Sequence, residues 1–534
     1  LKAPTASGKT EAALVPYLYQ ILYDDWFLAP GVIYVLPNKT LLFSQLKRIE
    51  EMVNCVLGDK GKKISVVADI GGIYPGKTFL FGDIVLTTID AFFYGLITRR
   101  TFLQDKDEEI GKSLFPIGNI ATSMIIFDEV QMYQDEYYYA PTVLRRIIDL
   151  LHNMGIPIII MTATMPTVLE KRLIPETTDQ KVILCERSIR GCVHVKIIPK
   201  EINLLSFIAT NAKKILSSYN RILIVTNTVK HAVNVYLLLR DIAKEMKFDL
   251  DLIHSRIREK VRRERERKLE ELKHSSIKYL MIATQVAESG IDFDFDAAFV
   301  ELAPIDGLLQ RIGRVARKAK EEGSAFIFYP ETYMPYTEKI LEKSWNIITS
   351  MKKELEKALS NMSITNKLLD MVYDEEFVTT LLVPPEKSEK LMTYIRVGKI
   401  LSETLRLLMR MHPLMDFSLF ARKARIRLEL YITVLLLKKL KSEELTEKNT
   451  LVIKTMFNEL RDNHFNLKYR GSDIQKYPFL KFNNFAFRVS IEKSYAKGMW
   501  ELAIIKDYKI RPQACYLLNP NYYQEIQDYD LGLI

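Results

Sequence analysis

Short apolar runs with little polar alternation recur along the first 330 residues and are separated by helical segments. They occupy positions 32–35, 84–86, 124–127 and 157–161, and then 221–225, 279–282, 297–300 and 326–329. Strands that are apolar at nearly every position are typical of a parallel sheet buried between helices. The sequence therefore predicts an α/β fold with two similar parallel-sheet domains in tandem.

The pattern changes after residue 330. The apolar spacing becomes helical, most clearly at 401–411 and 428–440, and the last ninety or so residues are rich in Tyr, Phe and Asn. The first domain is expected to be N-terminally truncated, because its first motif should follow a strand. We divide the chain into a first α/β domain at 1–190, a second at 191–330, a helical accessory region at 331–445 and a small C-terminal domain at 446–534.

The charge balance points to a polyanionic partner without identifying it. Lys and Arg number 76 against 66 Asp and Glu, so the 534-residue chain has a formal charge of +10. No apolar run reaches the roughly 18 residues of a membrane span, and no signal peptide is recognisable. The four cysteines match neither zinc spacings nor a disulfide framework. We expect a cytoplasmic protein without a membrane partner.

The loop that ends at Thr10 reads Ala-Pro-Thr-Ala-Ser-Gly-Lys-Thr, a phosphate-binding pattern with Ala in place of the first Gly. Small residues allow backbone N–H groups to turn toward phosphates, so Ala6, Ser7 and Gly8 are candidate contacts to ATP. The Lys9 ammonium is expected to reach the β- and γ-phosphates. The Thr10 hydroxyl is a candidate ligand of Mg²⁺.

Two carboxylates follow the third apolar run directly. Asp128 and Glu129 stand at the strand end where an α/β fold places ligand chemistry. Asp128 is a candidate Mg²⁺ ligand, and Glu129 is a candidate for orienting and deprotonating the attacking water. The alternative is an Asp-Glu turn without a catalytic role, and the upstream phosphate loop favours the catalytic interpretation.

A third motif extends from Gln310 to Arg317 and contains three guanidinium groups. The spacing predicts that Arg314 and Arg317 lie one helical turn apart on one face. Arginine is suited to clamping a transferring phosphoryl group, and a second domain can supply it across a cleft. A solvated basic helix is the alternative, because Lys318 and Lys320 continue the run.

In this order on two α/β domains, these motifs resemble those of the superfamily 2 helicases. Segments 37–45, 162–164 and 283–292 are similar to further motifs of that family. The resemblance implies two RecA-like domains that bind ATP and Mg²⁺ between them. It assigns nucleotide contacts to Gly290, Asp292 and Gln310, γ-phosphate contacts to Arg314 and Arg317, strand contacts to Pro37, Lys39, Gln45, Thr88 and Thr284, and a coupling role to Gln131.

Three local segments most resemble the CRISPR-associated helicase of type I interference systems, the helicase subunit of the Cas-three nuclease-helicase. They are 82–90 with its Thr-Ile-Asp, 303–311 before the arginines, and 517–533 at the C-terminal end. The resemblance implies a single-stranded DNA translocase that moves 3′ to 5′. It also implies recruitment by a crRNA-guided surveillance complex (Cascade-type) at an R-loop, and delivery of the displaced strand to an HD nuclease.

The chain departs from that family's pattern at two points. Gln131 stands where many relatives have His, and the seven histidines include no His-Asp pair of the family's nuclease. We therefore expect the HD nuclease to be a separate subunit, the alternative being its loss with the N-terminus. A superfamily 2 DNA-repair or RNA helicase and an ATP-gated nucleic-acid clamp without unwinding are the other hypotheses. The charged segment 256–273 is predicted to be a solvated helix with i,i+4 ion pairs, or else a DNA-facing surface.

Overall fold

The computed structural model describes most of the first 403 residues and a set of strands after them. The described residues are 1–4, 7–70, 79–97, 115–133, 139–175, 180–273, 275–288, 293–382, 395–403, 430–436, 452–456, 464–469, 486–493, 499–504, 515–518, 524–526 and 529–532.

The first domain is built on a five-stranded parallel sheet in the order β2-β3-β1-β4-β5. Its central strands are buried along their whole length, because helices cover both faces. The strands are β1 (Gly31–Leu36), β2 (Val66–Asp69), β3 (Ile84–Thr88), β4 (Ser123–Phe127) and β5 (Ile158–Ile160). The helices are α1 (Lys9–Tyr23), α2 (Lys39–Leu57), α3 (Ile89–Leu96), α4 (Phe115–Ala121), α5 (Tyr139–Asn153) and α6 (Thr167–Leu173), with 3-10 turns at Gly58–Lys63 and Val130–Tyr133.

The second domain repeats this architecture with a six-stranded parallel sheet in the order β6-β11-β10-β7-β9-β8. Both predicted parallel-sheet domains are therefore confirmed. The strands are β6 (Cys192–Ile197), β7 (Arg221–Val225), β8 (Asp249–Ile253), β9 (Tyr279–Ala283), β10 (Ala297–Glu301) and β11 (Glu322–Phe328). The helices are α7 (Leu204–Ser218), α8 (Val229–Glu245), α9 (Glu259–Leu272) and α10 (Ile305–Ile312), with a 3-10 turn at Gln285–Glu288.

Four helices follow and pack against both domains. They are α11 (Glu338–Ser350), α12 (Lys352–Ala358), α13 (Met362–Val372) and α14 (Glu375–Leu382). Asp370 on α13 accepts hydrogen bonds from the backbone N–H and hydroxyl of Thr167, at 2.7 and 2.8 Å, at the start of α6 in the first domain. Glu356 on α12 accepts from the Val195 N–H of β6 in the second domain. Among the described residues, no helix is long and apolar enough to cross a bilayer.

The C-terminal part contains a six-stranded mixed sheet and a separate two-stranded hairpin. The sheet has the order β13-β16-β15-β17-β12-β14, and the hairpin pairs β18 with β19. The strands are β12 (Leu430–Leu435), β13 (Val452–Met456), β14 (His464–Tyr469), β15 (Ala486–Lys493), β16 (Met499–Ile504), β17 (Cys515–Leu518), β18 (Gln524–Ile526) and β19 (Tyr529–Gly532).

The expected helix at 428–440 is wrong where the structure describes it. Residues 430–435 form strand β12, which pairs with β14 and β17. Ile432, Thr433 and Val434 are β-branched and favour a strand, and a short apolar run does not reveal its period. Of the predicted helix at 401–411, only 401–403 is described, and it is helical. Residues 404–411 lie outside the described part.

Candidate nucleotide and nucleic-acid site

The phosphate loop leads directly into α1. Gly8 precedes the helix with φ +86°, a left-handed conformation that a side chain disfavours. Lys9 is the first helical residue, and its buried ammonium donates to the carbonyl oxygens of Ala3 at 3.0 Å and Pro4 at 3.4 Å. Ser7 closes the loop by donating to the Pro4 carbonyl at 2.8 Å. The predicted contact Ala6 lies outside the described residues.

Asp128 and Glu129 lie next to this loop at the end of β4. The Lys9 ammonium is 3.7 Å from Glu129 Oε1, and the Glu129 N–H donates to Asp128 Oδ1 at 2.8 Å. Burial, reinforced by the Glu129 carboxylate, raises the pKa of Asp128 well above its ordinary value against the opposing effect of Lys9. Glu129 has φ +47°, a strained conformation for a residue with a side chain. Such strain is typical of residues that a site holds in place.

Thr10 and Asp128 share the hydroxyl of Tyr34. Tyr34 donates to Asp128 Oδ2 at 2.7 Å and is hydrogen-bonded to Thr10. Among the described residues, no group of three His, Cys, Asp or Glu side chains is arranged to hold a metal. Mg²⁺ requires no such cage, since it retains water and phosphate oxygens and takes one or two protein ligands. The hydroxyl and carboxylate placed together here fit Mg²⁺.

Hydrogen bonds at the two ends of segment 162–164 connect the carboxylates to the second domain. Gln131 donates through Nε2 to Glu129 Oε2 at 2.5 Å and accepts through Oε1 from the Thr162 hydroxyl at 2.6 Å. Two residues further along, the Thr164 hydroxyl accepts from Gln310 Nε2 of α10 at 3.0 Å. The segment 162–164 thus contacts Gln131, the neighbour of the Glu129 carboxylate, at one end and the second domain at the other.

The arginine motif differs from its prediction in one respect. Helix α10 ends at Ile312 and Gly313 forms its cap, so Arg314 and Arg317 are not on one helical face. The chain turns sharply there, with Ala316 at φ +50°, and Arg314 donates to the carbonyl oxygens of Ala287 and Glu288. Both arginines nevertheless line the same cavity.

Arg311 has a structural environment. It is fully buried, and its guanidinium binds the Glu288 carboxylate, Asn227 Oδ1, the Glu301 carbonyl and the Tyr336 hydroxyl. All of these partners belong to the second domain or to the segment that follows it. Arg311 therefore anchors the motif within its own domain while the two later arginines reach the cleft.

The two domains enclose a cavity of about 800 Å³ at this site. The first domain contributes the phosphate loop, the two carboxylates and one face of α2, and the second contributes α9 and the arginine motif. Of the predicted nucleotide-site residues, the cavity brings together Ser7, Gly8, Lys9, Thr10, Asp128, Glu129, Gln310, Arg314 and Arg317. Gly290 and Asp292 lie outside the described residues.

The predicted strand contacts lie mostly at carboxyl ends of parallel strands. Pro37 follows β1, Thr88 ends β3, and Thr284 follows β9. Thr88 is buried and also caps α3, accepting from the Ala91 N–H at 3.4 Å. A sheet edge of this kind is where open α/β folds bind ligands.

Lys39 and Gln45 lie on α2 and face the second domain. Burial lowers the pKa of Lys39 to about 8, and the charge of Glu259 on α9 is the strongest opposing influence. Gln45 lines the cavity, and its Oε1 is buried without a hydrogen-bond partner among the described residues. Both side chains therefore lie at the interface between the domains.

Comparisons with known proteins agree with this geometry. A DEAD/DEAH box helicase family model matches residues 1–171, and a model of the C-terminal part of the CRISPR-associated nuclease/helicase Cas3 matches residues 218–320. The CRISPR-associated helicase Cas3 of Thermoproteus tenax is 31% identical over 383 residues, which cover 70% of this chain and 63% of that protein. Over most of its length the chain is similar to the Cas3 family of CRISPR-associated superfamily 2 helicases.

Other members and solved structures extend the likeness. The Cas3 nuclease/helicase of Methanothermobacter thermautotrophicus is 24% identical over 414 residues, 70% of this chain and 45% of its own length. The crystal structure of T. fusca Cas3 with ATP superposes with a TM-score of 0.57 at 15% identity, covering 88% of this chain and 62% of that one. The crystal structure of the MrfA helicase bound to DNA superposes with a TM-score of 0.53 at 15% identity, covering 98% of this chain and 65% of that one. At 15% identity these structures show the shared fold, and this chain spans less than two thirds of the length of these Cas3 relatives.

Helix α9 is the main part of this cleft that sequence reasoning missed. It has the i,i+4 pairs expected of a solvated helix, such as Arg262 with Glu266, yet Glu259 and Arg265 are buried. Glu266 accepts a hydrogen bond from Thr40 of α2, and burial raises the pKa of Glu266 to about 7. The sequence gives no local signal for this role, because the role depends on contacts between α9 and α2.

Proposed function

We propose that this chain is an ATP-dependent single-stranded DNA translocase and helicase that moves 3′ to 5′ in type I CRISPR interference. One observation carries the proposal: the cleft is lined by a phosphate loop and two carboxylates from one domain and by arginines from the other. Hydrolysis in such a cleft requires both domains, so closing and opening it converts ATP turnover into relative domain motion.

The residues divide the work of hydrolysis between them. Lys9 binds the β- and γ-phosphates, and Thr10 and Asp128 hold Mg²⁺, which supplies charge neutralisation at the phosphates. Glu129 orients the attacking water and takes its proton, and Arg314 and Arg317 stabilise negative charge from the second domain. Each role is assigned from the position of the residue in the cavity and from the charge or hydroxyl group of its side chain.

Gln131 is the proposed coupling residue. Its amide holds the Glu129 carboxylate and the Thr162 hydroxyl at once, and Thr164 contacts Gln310 across the cleft. Strand binding that shifts the second domain therefore alters a path that ends at the catalytic carboxylate. We propose that this path makes hydrolysis depend on the strand.

The partners follow from the family. A chain in the solved structure of a CRISPR RNA-guided surveillance complex in a pre-nicking state superposes on this chain with a TM-score of 0.53 at 16% identity. The T. tenax relative is named a helicase, whereas the M. thermautotrophicus relative is named a nuclease/helicase. We propose recruitment by a Cascade-type complex at an R-loop and delivery of the strand to a separate HD nuclease. Base pairing would then supply sequence specificity, and the motor would read the backbone.

The test is Mg²⁺-dependent ATP hydrolysis by the chain alone, with single-stranded DNA and with single-stranded RNA. We expect stimulation by DNA, and we expect Lys9→Ala and Glu129→Gln to abolish turnover while retaining DNA binding. Greater stimulation by RNA would indicate an RNA helicase. Duplexes with a single 3′ or 5′ overhang then test direction, and stimulated hydrolysis without strand displacement would indicate the ATP-gated clamp.

A further inference from the structure

The C-terminal hairpin β18–β19 is docked on the second domain, although it is more than two hundred residues away in sequence from that docking site. Leu531 is 1% exposed and belongs to the apolar cluster that also contains Leu216, Ile224 and Leu239. The neighbouring Asp530 is 4% exposed. A segment with a side chain buried in the core of another domain is fixed to that domain.

Three basic side chains of the second domain hold the hairpin. Arg258 donates through Nη2 to both oxygens of Asp530, at 2.9 and 2.6 Å, and Arg265 Nη2 donates to the Asp530 carbonyl at 2.9 Å. His254 Nε2 donates to the Leu531 carbonyl at 2.9 Å while its Nδ1 accepts from the Arg256 N–H. Burial lowers the pKa of His254 to about 3, so the neutral ring makes both contacts.

These contacts hold the N-terminal half of α9, which has no fully buried apolar side chain. Within α9, which is described throughout, the buried apolar residues are Leu269 and Leu272, both in its C-terminal half. The N-terminal half is held by charged groups, and the Arg258 and Arg265 side chains are 12% and 6% exposed. Buried guanidinium groups require partners, and the hairpin supplies them.

The neighbouring face of the same helix forms a wall of the cleft. Arg263, Glu266 and Arg267 line the cavity, Glu266 accepts from Thr40, and Glu259 is the acid that most influences Lys39. The helix α9 is therefore held between the hairpin on one side and α2 on the other. Its placement relative to α2 sets the surroundings of Lys39 and Thr40.

We propose that Asp530 is a positioning residue: through Arg258 and Arg265 it sets α9 against α2 and so shapes the strand-binding end of the cleft. The part of this inference that concerns the strand rests on the proposed function. It gives the C-terminal segment 517–533, which the sequence singled out, a specific role.

The experiment compares Asp530→Asn with wild type in the full chain. Asn keeps the size of the side chain but carries no charge, so Arg258 loses its two-point contact with the Asp530 carboxylate. Amide hydrogen exchange should accelerate in the first half of α9 and remain unchanged around Leu269 and Leu272. The single-stranded DNA concentration that half-saturates ATP hydrolysis should rise by about fivefold or more, a typical coupling between sites. The KM for ATP without strand should stay within about twofold, because the phosphate loop belongs to the first domain.

Glu264→Gln is the matched control. This carboxylate lies on α9 itself, 53% exposed and 4.0 Å from Lys260, so its loss should change the half-saturating concentration by less than about twofold. Arg258→Lys serves as a second variant should Asp530→Asn fail to fold, because it keeps a cation and loses the two-point contact. It should change both measurements in the same direction.

Unchanged exchange in α9 of a folded variant would overturn the positioning role. Faster exchange with an unchanged half-saturating concentration would overturn the link to the strand. Exchange in α9 could be faster in the variant while no strand stimulates hydrolysis by the wild type. That result would support the positioning role and contradict only the proposed function.

Discussion

Replacing Glu266 by Gln should stabilise the protein at alkaline pH and leave its stability unchanged in acid. Glu266 lies on α9 in the cleft, its side chain 18% exposed and 3.7 Å from Arg262. Burial, with the repulsion of Glu259, raises the pKa of this carboxyl from 4.5 to about 7. The charges of Arg262 and Arg263 and the hydrogen bond from Thr40 lower this pKa and offset the rise only in part. The ionised form is therefore less favourable in the folded chain than in the unfolded one.

The sign and size follow from proton linkage. Between pH 4.5 and 7 the folded protein binds more protons at this site than the unfolded protein, so this site's contribution to stability falls as pH rises through that window. The difference of 2.5 pKa units corresponds to about 3 kcal/mol once the carboxyl is ionised in both states. Gln resembles the neutral acid and does not ionise. Glu266→Gln should therefore raise the free energy of unfolding by up to about 3 kcal/mol at pH 8 and by about zero at pH 4.5.

Urea unfolding of the full chain at the two pH values measures this difference through the midpoint and the m-value. Glu264→Gln is the control: it lies on the same helix, 53% exposed and 4.0 Å from Lys260. Its loss should change stability by less than about 1 kcal/mol at either pH. A Glu266→Gln variant that is less stable at pH 8, or equally changed at both pH values, would refute the reasoning.

Three further variants test the site. Gln131→Leu removes both amide hydrogen bonds and should lower strand-stimulated hydrolysis by about tenfold or more with KM for ATP nearly unchanged; equal losses with and without strand would contradict the coupling role. Arg311→Met should lower the free energy of unfolding by about 3–5 kcal/mol, because Glu288 loses its buried partner; unchanged thermal unfolding would contradict this. Tyr34→Phe removes the hydrogen bond that holds Asp128 and should raise the Mg²⁺ concentration for half-maximal hydrolysis about tenfold. An unchanged Mg²⁺ requirement would contradict the role of this hydrogen bond in orienting Asp128.

In the two parallel sheets, the strands that the sequence did not reveal are edge strands. The apolar runs correspond to β1, β3, β4 and β5 in the first sheet and to β7, β9, β10 and β11 in the second. The three that were missed, β2, β6 and β8, each lie at an edge of their sheet. In β6 exposed and buried residues alternate, and β8 contains two Asp residues. An edge strand lacks a neighbour on one side, so it need not be apolar at every position.

The candidate site was predictable where adjacent residues determine it. Lys9, Asp128 and Glu129 are placed by the strand ends and helix starts that their own segments form, so local motifs located them. The helix predicted through Arg314 failed because Gly313 ends α10, a boundary that spacing does not give. The role of α9 could not be read locally, because it depends on contacts with α2 and with a hairpin far along the chain.

The amide at position 131 has a consequence for how the cleft responds to pH. Gln131 donates to a carboxylate through one atom and accepts from a hydroxyl through another. A neutral imidazole can do the same in one tautomer, but a protonated imidazole can only donate and would lose the bond from Thr162. The amide does not titrate, so the path from Glu129 to Thr162 persists at pH values where a histidine would change charge. Relative to the histidine of the family pattern that the sequence resembles, the proposed coupling contact is therefore made by a group that does not titrate.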